Sequence, residues 1–161
     1  MIDGYGRTID YVRISVTDRC NLRCVYCMPE EGVGSISHEE ILRFGEIERV
    51  CQILAENGIQ KIKLTGGEPL VRRRLPELAA ALKRIPGIKS LTITTNGVLL
   101  EEMYDALADA GVDSVTISLD TLDASVYRQL TRRDEIEAVR RGLRTAIQKG
   151  RMQIKIKHRS S

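Results

Sequence analysis

No apolar stretch of this 161-residue chain approaches the roughly 20 residues that a membrane span requires. That absence argues against a membrane protein. A strong excess of one charge is missing too. Lysine and arginine number 25 against 22 aspartates and glutamates, a net charge of +3, and so small an imbalance points to no nucleic-acid or membrane-surface partner. Arg72-Arg73-Arg74, Arg132-Arg133 and Arg140-Arg141 are local basic runs, read as solvated helix ends and faces. Cysteine is scarce, with four in the whole chain, too few for a disulfide scaffold of this size. The opening residues do not form a secretory signal. Reduced thiols without a targeting segment make the cytoplasm the expected location. What is present is 42% hydrophobic residues, enough core for one domain.

The pattern of those residues alternates strand and helix. Strands are expected over residues 11–16, 59–65, 88–95, 112–119 and 152–157. Helices are expected over 75–85, with Pro76 in the first turn, and over 99–110, 124–130 and 135–149. A further helix over 37–57 carries a capping box of Ser37 and Glu40, with Ile41, Ile47, Val50, Cys51 and Leu54 on its apolar side. Gly58, Gly87, Gly111 and Gly150 each fall just ahead of a strand. Such alternation implies parallel strands, either in an open doubly wound sheet or in part of a (βα) barrel.

The strands themselves favour the barrel. Strands buried on both faces read as unbroken apolar runs. Here Val12, Ile14 and Val16 alternate with Arg13, Ser15 and Thr17, and Ile62 and Leu64 with Lys61, Lys63 and Thr65. The other three alternate likewise. One face is therefore apolar and the other polar. The expected fold is α/β, a partial barrel of parallel strands with a wet interior. It would occupy residues 1–157 and stop after about the fifth strand, with 158–161 as a tail. Arg13, Lys61, Lys63 and Lys155 fall on the polar face, with Asp120 the lone acid near them. A wall of that charge suits an anionic ligand such as a phosphate chain.

Ligands in barrel folds gather at the C-terminal ends of strands. Four loops end up there: the one beginning at Cys20, Gly66-Gly67-Glu68-Pro69, Asn96-Gly97, and Ser118-Leu119-Asp120. Alone, the Gly-Gly turn reads as an ordinary strand-to-helix turn. The stretch Cys20-Asn21-Leu22-Arg23-Cys24-Val25-Tyr26-Cys27 is more specific. Three close thiols serve a disulfide, zinc or an iron–sulfur cluster. A disulfide strands one of them. Zinc needs a fourth ligand, for which His38 or Cys51 would have to serve, although Cys51 reads most simply as a small core residue. A four-iron cluster held by three thiolates keeps one iron open for a small molecule.

The spacing of three and then two residues, with an aromatic before the last cysteine, resembles the radical S-adenosylmethionine (SAM) superfamily. The longer string from Val12 to Glu30 resembles its GTP 3',8-cyclase family, of molybdenum cofactor biosynthesis. That resemblance runs from about Gly6 to Lys155. It implies a 4Fe–4S cluster on Cys20, Cys24 and Cys27, whose open iron is chelated by SAM. It implies SAM contacts from the Tyr26 backbone, Gly67 and Ser118. GTP would lie on Arg13, Lys61, Lys63, Thr94 and Lys155, with Thr94 and Asn96 beside the nucleotides. Lys63 departs from the arginine often found there and loses its bidentate fork.

The implied chemistry is removal of a hydrogen from ribose C3' and attack of C3' on purine C8, giving 3',8-cyclo-7,8-dihydro-GTP. A reductant such as flavodoxin or ferredoxin and, as the next enzyme, cyclic pyranopterin monophosphate synthase are the implied partners. A homodimer is compatible with it. The family's chains continue past this one and carry a second 4Fe–4S cluster on three C-terminal cysteines. This chain is thus expected to be truncated and not to cyclise GTP by itself. Two other readings stand beside this one: a radical SAM enzyme acting on a peptide, and a non-catalytic zinc or iron–sulfur module.

Overall fold

A computed structural model describes residues 9–22 and 43–158. Its elements are β1 (Tyr11–Ser15), α1 (Phe44–Glu56), β2 (Lys61–Thr65), a 3-10 turn at Pro69–Val71, α2 (Leu75–Lys83), β3 (Ser90–Thr95), α3 (Leu100–Asp109), β4 (Ser114–Ser118), α4 (Ala124–Thr131), α5 (Ile136–Lys149) and β5 (Gln153–Lys157). The strands form one sheet in the order β1-β2-β3-β4-β5, every pairing parallel. A doubly wound sheet reverses its strand order at a switch point. This one never does, which is the progression of a barrel wall.

The two faces separate as the alternation requires. Ile62, Leu64, Leu91, Ile93, Val115 and Ile117 are buried together with Ile47, Leu78, Leu82, Leu107 and Val139 of the helices. Each such aliphatic side chain contributes about 1.5–3 kcal/mol relative to exposure. The polar face is ordered by register. Arg13, Lys63, Thr92, Ser114 and Gln153 pair across all five strands. Thr94, Thr116 and Lys155 form the next row toward the C-terminal end, and Ser118 and Lys157 the rim.

Helix ends explain why the strands start late. After α1, Gly58 N–H bonds Ala55 O at 3.1 Å and Ile59 N–H bonds Leu54 O at 3.1 Å. This is a Schellman closure with glycine in the left-handed region, at φ 101°. Gly111 and Val112 repeat it on Ala108 and Leu107. Ile59, Ile88, Val112 and Met152 then turn inward and are buried before the ladder begins.

Four expectations need correction. A helix running on from Ser37 is ruled out, because Arg43 is extended and caps α1, with its N–H on Glu46 Oε1 at 3.3 Å; Ser37, Glu40 and Ile41 themselves lie outside the described residues. Val50 is 43% exposed, since only Ile47 and Cys51 of α1 face the core fully. Arg72 is not a solvated arginine. Its guanidinium donates to Val16 O at 2.8 Å and stacks 4.4 Å above the Phe44 ring, and burial lowers its pKa. Asp120 is not the lone acid of the basic wall either, because Asp10, leading into β1, pairs with Lys61 at 3.4 Å.

Candidate active site

A cavity of about 480 Å³ opens at the C-terminal ends of the strands, within the range of small-ligand sites. Cys20, Gly66 and Gly67, Thr94, Asn96, Ser118 and Asp120 line it. They come from the ends of four strands, β1 to β4, or the loops after them, so the sheet order brings together residues up to 100 positions apart. Leu119, Tyr127 and Leu130 supply an apolar side. Lys157 also lines it, although the sequence drew attention to Lys155.

The Cys20 loop and the Gly66–Gly67 loop touch backbone to backbone. Gly67 N–H donates to Thr17 O at 2.9 Å and Glu68 N–H to Arg19 O at 2.7 Å. A Cβ on Gly67 would lie 2.4 Å from Arg19 O, and one on Gly66, whose φ is 151°, 2.5 Å from Thr17 O. Only glycine permits this approach.

Glu68 is the residue that sequence reasoning missed. It is 1% exposed. Its Oε1 accepts from Leu70 N–H at 3.0 Å and from the Thr95 hydroxyl at 2.5 Å, and its Oε2 from Asn96 N–H at 2.6 Å. One carboxylate thereby braces the loops after β2 and β3. Its signal in the sequence is slight: an acid between a Gly-Gly pair and a proline at a strand end. Burial pushes its carboxyl above the ordinary glutamate value, against the pull of the hydrogen bonds from Asn96, Thr95 and Leu70. A raised value in the folded state stabilises the fold most below the ordinary glutamate pKa, and that gain is lost as pH rises through the raised value. Glu68→Ala leaves three donors without their acceptor and should cost about 2–4 kcal/mol in urea unfolding. It should also abolish this carboxyl's share of the pH slope.

The wall residues lie lower. Lys63 Nζ sits 4.6 Å from the Tyr11 ring centroid. Arg13 shares its row, Lys61 is held by Asp10 near the start of its strand, and Lys155 is one inward-facing step below the rim. None of these four lines the cavity. Cys24, Tyr26, Cys27 and His38 lie outside the described residues. Among the described residues no three His, Cys, Asp or Glu side chains group to hold a metal.

Cys20 is half-buried, and its Sγ accepts from Leu22 N–H at 3.5 Å and from Asn96 Nδ2 at 3.8 Å. A cysteine sulfur at the mouth of a ligand cavity, met by N–H donors and flanked by a glycine cradle, fits an iron–sulfur cluster beside a bound small molecule. Cys51 does not fit as its partner. It is fully buried on α1, and burial pushes its thiol up to about 11.

Fold and site together define a barrel protein with a small-ligand cavity at the strand ends and a cysteine sulfur at its mouth. The chain belongs to the radical SAM superfamily, whose model matches residues 14–157. The cofactors of that superfamily, SAM and a 4Fe–4S cluster, are accordingly those of this chain. It is 53% identical over 156 residues to a GTP 3',8-cyclase of Pelotomaculum thermopropionicum, covering 97% of this chain and 48% of that one. It is 48% identical to one of Petrotoga mobilis over the same shares. The chain thus spans about half the length of the curated relatives it matches. Among solved structures, methylornithine synthase superposes with a TM-score of 0.71 at 20% identity, covering 93% of this chain and 44% of that one. The enzyme anSMEcpe with bound AdoMet gives 0.70 at 20%, covering 92% and 42%. These two show the fold alone. No helix among the described residues is long and apolar enough to cross a membrane.

Proposed function

We propose that this chain carries the SAM-cleaving half of a GTP 3',8-cyclase, the enzyme that joins ribose C3' to purine C8 in 3',8-cyclo-7,8-dihydro-GTP, and that it does not complete the cyclisation by itself. The observation that carries the reading is the cavity shared by Cys20, Gly67, Thr94 and Ser118, in a chain 53% identical to a curated cyclase. Cys20, Cys24 and Cys27 would hold the cluster. The Tyr26 backbone, Gly67 and Ser118 would hold SAM. When bound, the cluster supplies the electron that splits SAM to a hydrogen-abstracting carbon radical.

The rest of the chain binds, orients and excludes water. Leu119, Tyr127 and Leu130 line the cavity with apolar surface, which would help keep water from a radical. GTP would run from Thr94 down the wall. Lys155, one row nearer the rim than Arg13 and Lys63, would add a further cation to the wall that meets the triphosphate. A reductant such as flavodoxin or ferredoxin would feed the cluster, and cyclic pyranopterin monophosphate synthase would take the product.

The test is anaerobic reconstitution followed by iron, sulfide and zinc assays, SAM cleavage and GTP binding. About four irons and sulfides per chain, 5'-deoxyadenosine formed with dithionite, and GTP binding weakened roughly tenfold by Lys63→Ala support the reading. One zinc without a visible band, or a clustered chain that ignores GTP, overturns it.

A further inference from the structure

Asn96 points its side-chain amide at the sulfur of Cys20, a contact spanning 76 residues of sequence. Its orientation is set by its neighbours. Asn96 Oδ1 accepts from Val98 N–H at 3.0 Å, and its backbone N–H donates to Glu68 Oε2 at 2.6 Å. Val98 N–H can only donate, so Oδ1 must face it and Nδ2 must face the other way. On that side Nδ2 donates to Asn21 Oδ1 at 2.7 Å and to Cys20 Sγ at 3.8 Å. Asn21 thus holds the amide beside the sulfur, and the buried Glu68 holds its backbone.

An N–H aimed at a cluster thiolate stabilises negative charge there. One-electron reduction adds negative charge, so such a donor favours the reduced state. We infer that Asn96 is a positioning residue for the iron–sulfur cluster, and that its amide raises the cluster's reduction potential by donating to Cys20 Sγ. The inference rests on the proposal that Cys20 holds iron. It adds a task for Asn96 distinct from contact with either nucleotide. Glu68 and Asn21 act through it, which explains why an acid braces the loop after β3 from beneath.

The experiment is a redox titration of the reconstituted chain without SAM, read by the electron paramagnetic resonance signal of the reduced cluster. Asn96→Ser keeps a hydroxyl that can accept from Val98 N–H but cannot reach Cys20. At the native midpoint potential its ratio of reduced to oxidised cluster should fall about three- to tenfold, with iron content unchanged. Asn21→Ala, which frees the amide, should fall in the same direction by less. Tyr104→Phe is the control for a merely structural effect. It withdraws the buried hydroxyl that accepts from Arg151 N–H and Met152 N–H ahead of β5, so it should lower the melting point and leave the potential alone. Full iron at the native midpoint in Asn96→Ser overturns the inference and spares the ligand assignment. A native chain without iron overturns the ligand assignment and this inference with it. If Asn96→Ser takes up no iron, Asn21→Ala decides by the same ratio.

Discussion

Gly67→Ala should destabilise the chain by about 3–5 kcal/mol and greatly reduce the iron it binds. The added methyl would stand 2.4 Å from Arg19 O and 2.8 Å from both Arg19 C and Asp18 O. These are backbone atoms, so no change of rotamer relieves the overlap. The loops must part, which breaks the bonds from Gly67 N–H to Thr17 O and from Glu68 N–H to Arg19 O. Overpacking of this kind costs about 1–3 kcal/mol, and each hydrogen bond about 1 kcal/mol more. The same displacement moves Cys20, which follows Arg19 directly. Urea unfolding measures the first effect and iron content after reconstitution the second. Gly45→Ala is the contrasting change. It lies in the first turn of α1 with nothing within 4 Å of its added Cβ, so it should leave stability level or raise it by about 0.5–1 kcal/mol. Equal iron and stability in Gly67→Ala and the native chain would show that the two loops are not locked together.

Cys20→Ser should spare the fold and remove the cluster. Cys20 is half-exposed at the cavity mouth, so its replacement by a slightly smaller hydroxyl should shift stability by about 1 kcal/mol or less. Serine is a poor ligand for an iron–sulfur corner, and iron should fall from about four to well under one per chain. SAM cleavage should fall to background. Cys51→Ala should behave in the opposite way. Cys51 is fully buried in the core and does not line the cavity, and burial pushes its thiol up to about 11. Its loss should cost about 1 kcal/mol in packing and leave the iron in place. Iron retained in Cys20→Ser but lost in Cys51→Ala would reverse the ligand assignment.

Much of this architecture was readable from short-range pattern. Strand alternation at Ile62 and Leu64, or Leu91 and Ile93, marks the face that ends under the helices. Glycine at 58 and 111 marks helix ends because only the left-handed region closes those carbonyls. The start of α1 is not legible, because a Ser-x-x-Glu pattern signals a cap more strongly than the Arg43–Glu46 pair that begins the helix. A run of arginines reads as solvated, and the partners of Arg72, Phe44 and Val16 O, reach it only through the fold. Of the site, Cys20, Gly67, Thr94 and Ser118 were all named from the sequence and meet at one cavity. The buried role of Glu68 was not legible, since its partners Thr95 and Asn96 come from the next strand's end.

Taken alone, the order of residues determined the alternation of strands and helices, which strand face is apolar, and that three cysteines are close neighbours in sequence. These are properties of neighbours, set by side-chain period, capping and spacing. Only the tertiary structure decided that the strand order never reverses, that Asn96 reaches Cys20, and that Glu68 is sealed beneath both. Such contacts depend on how each crossover returns the chain and on the register it then adopts. A local pattern cannot carry either one, because both are settled by packing between segments far apart along the chain.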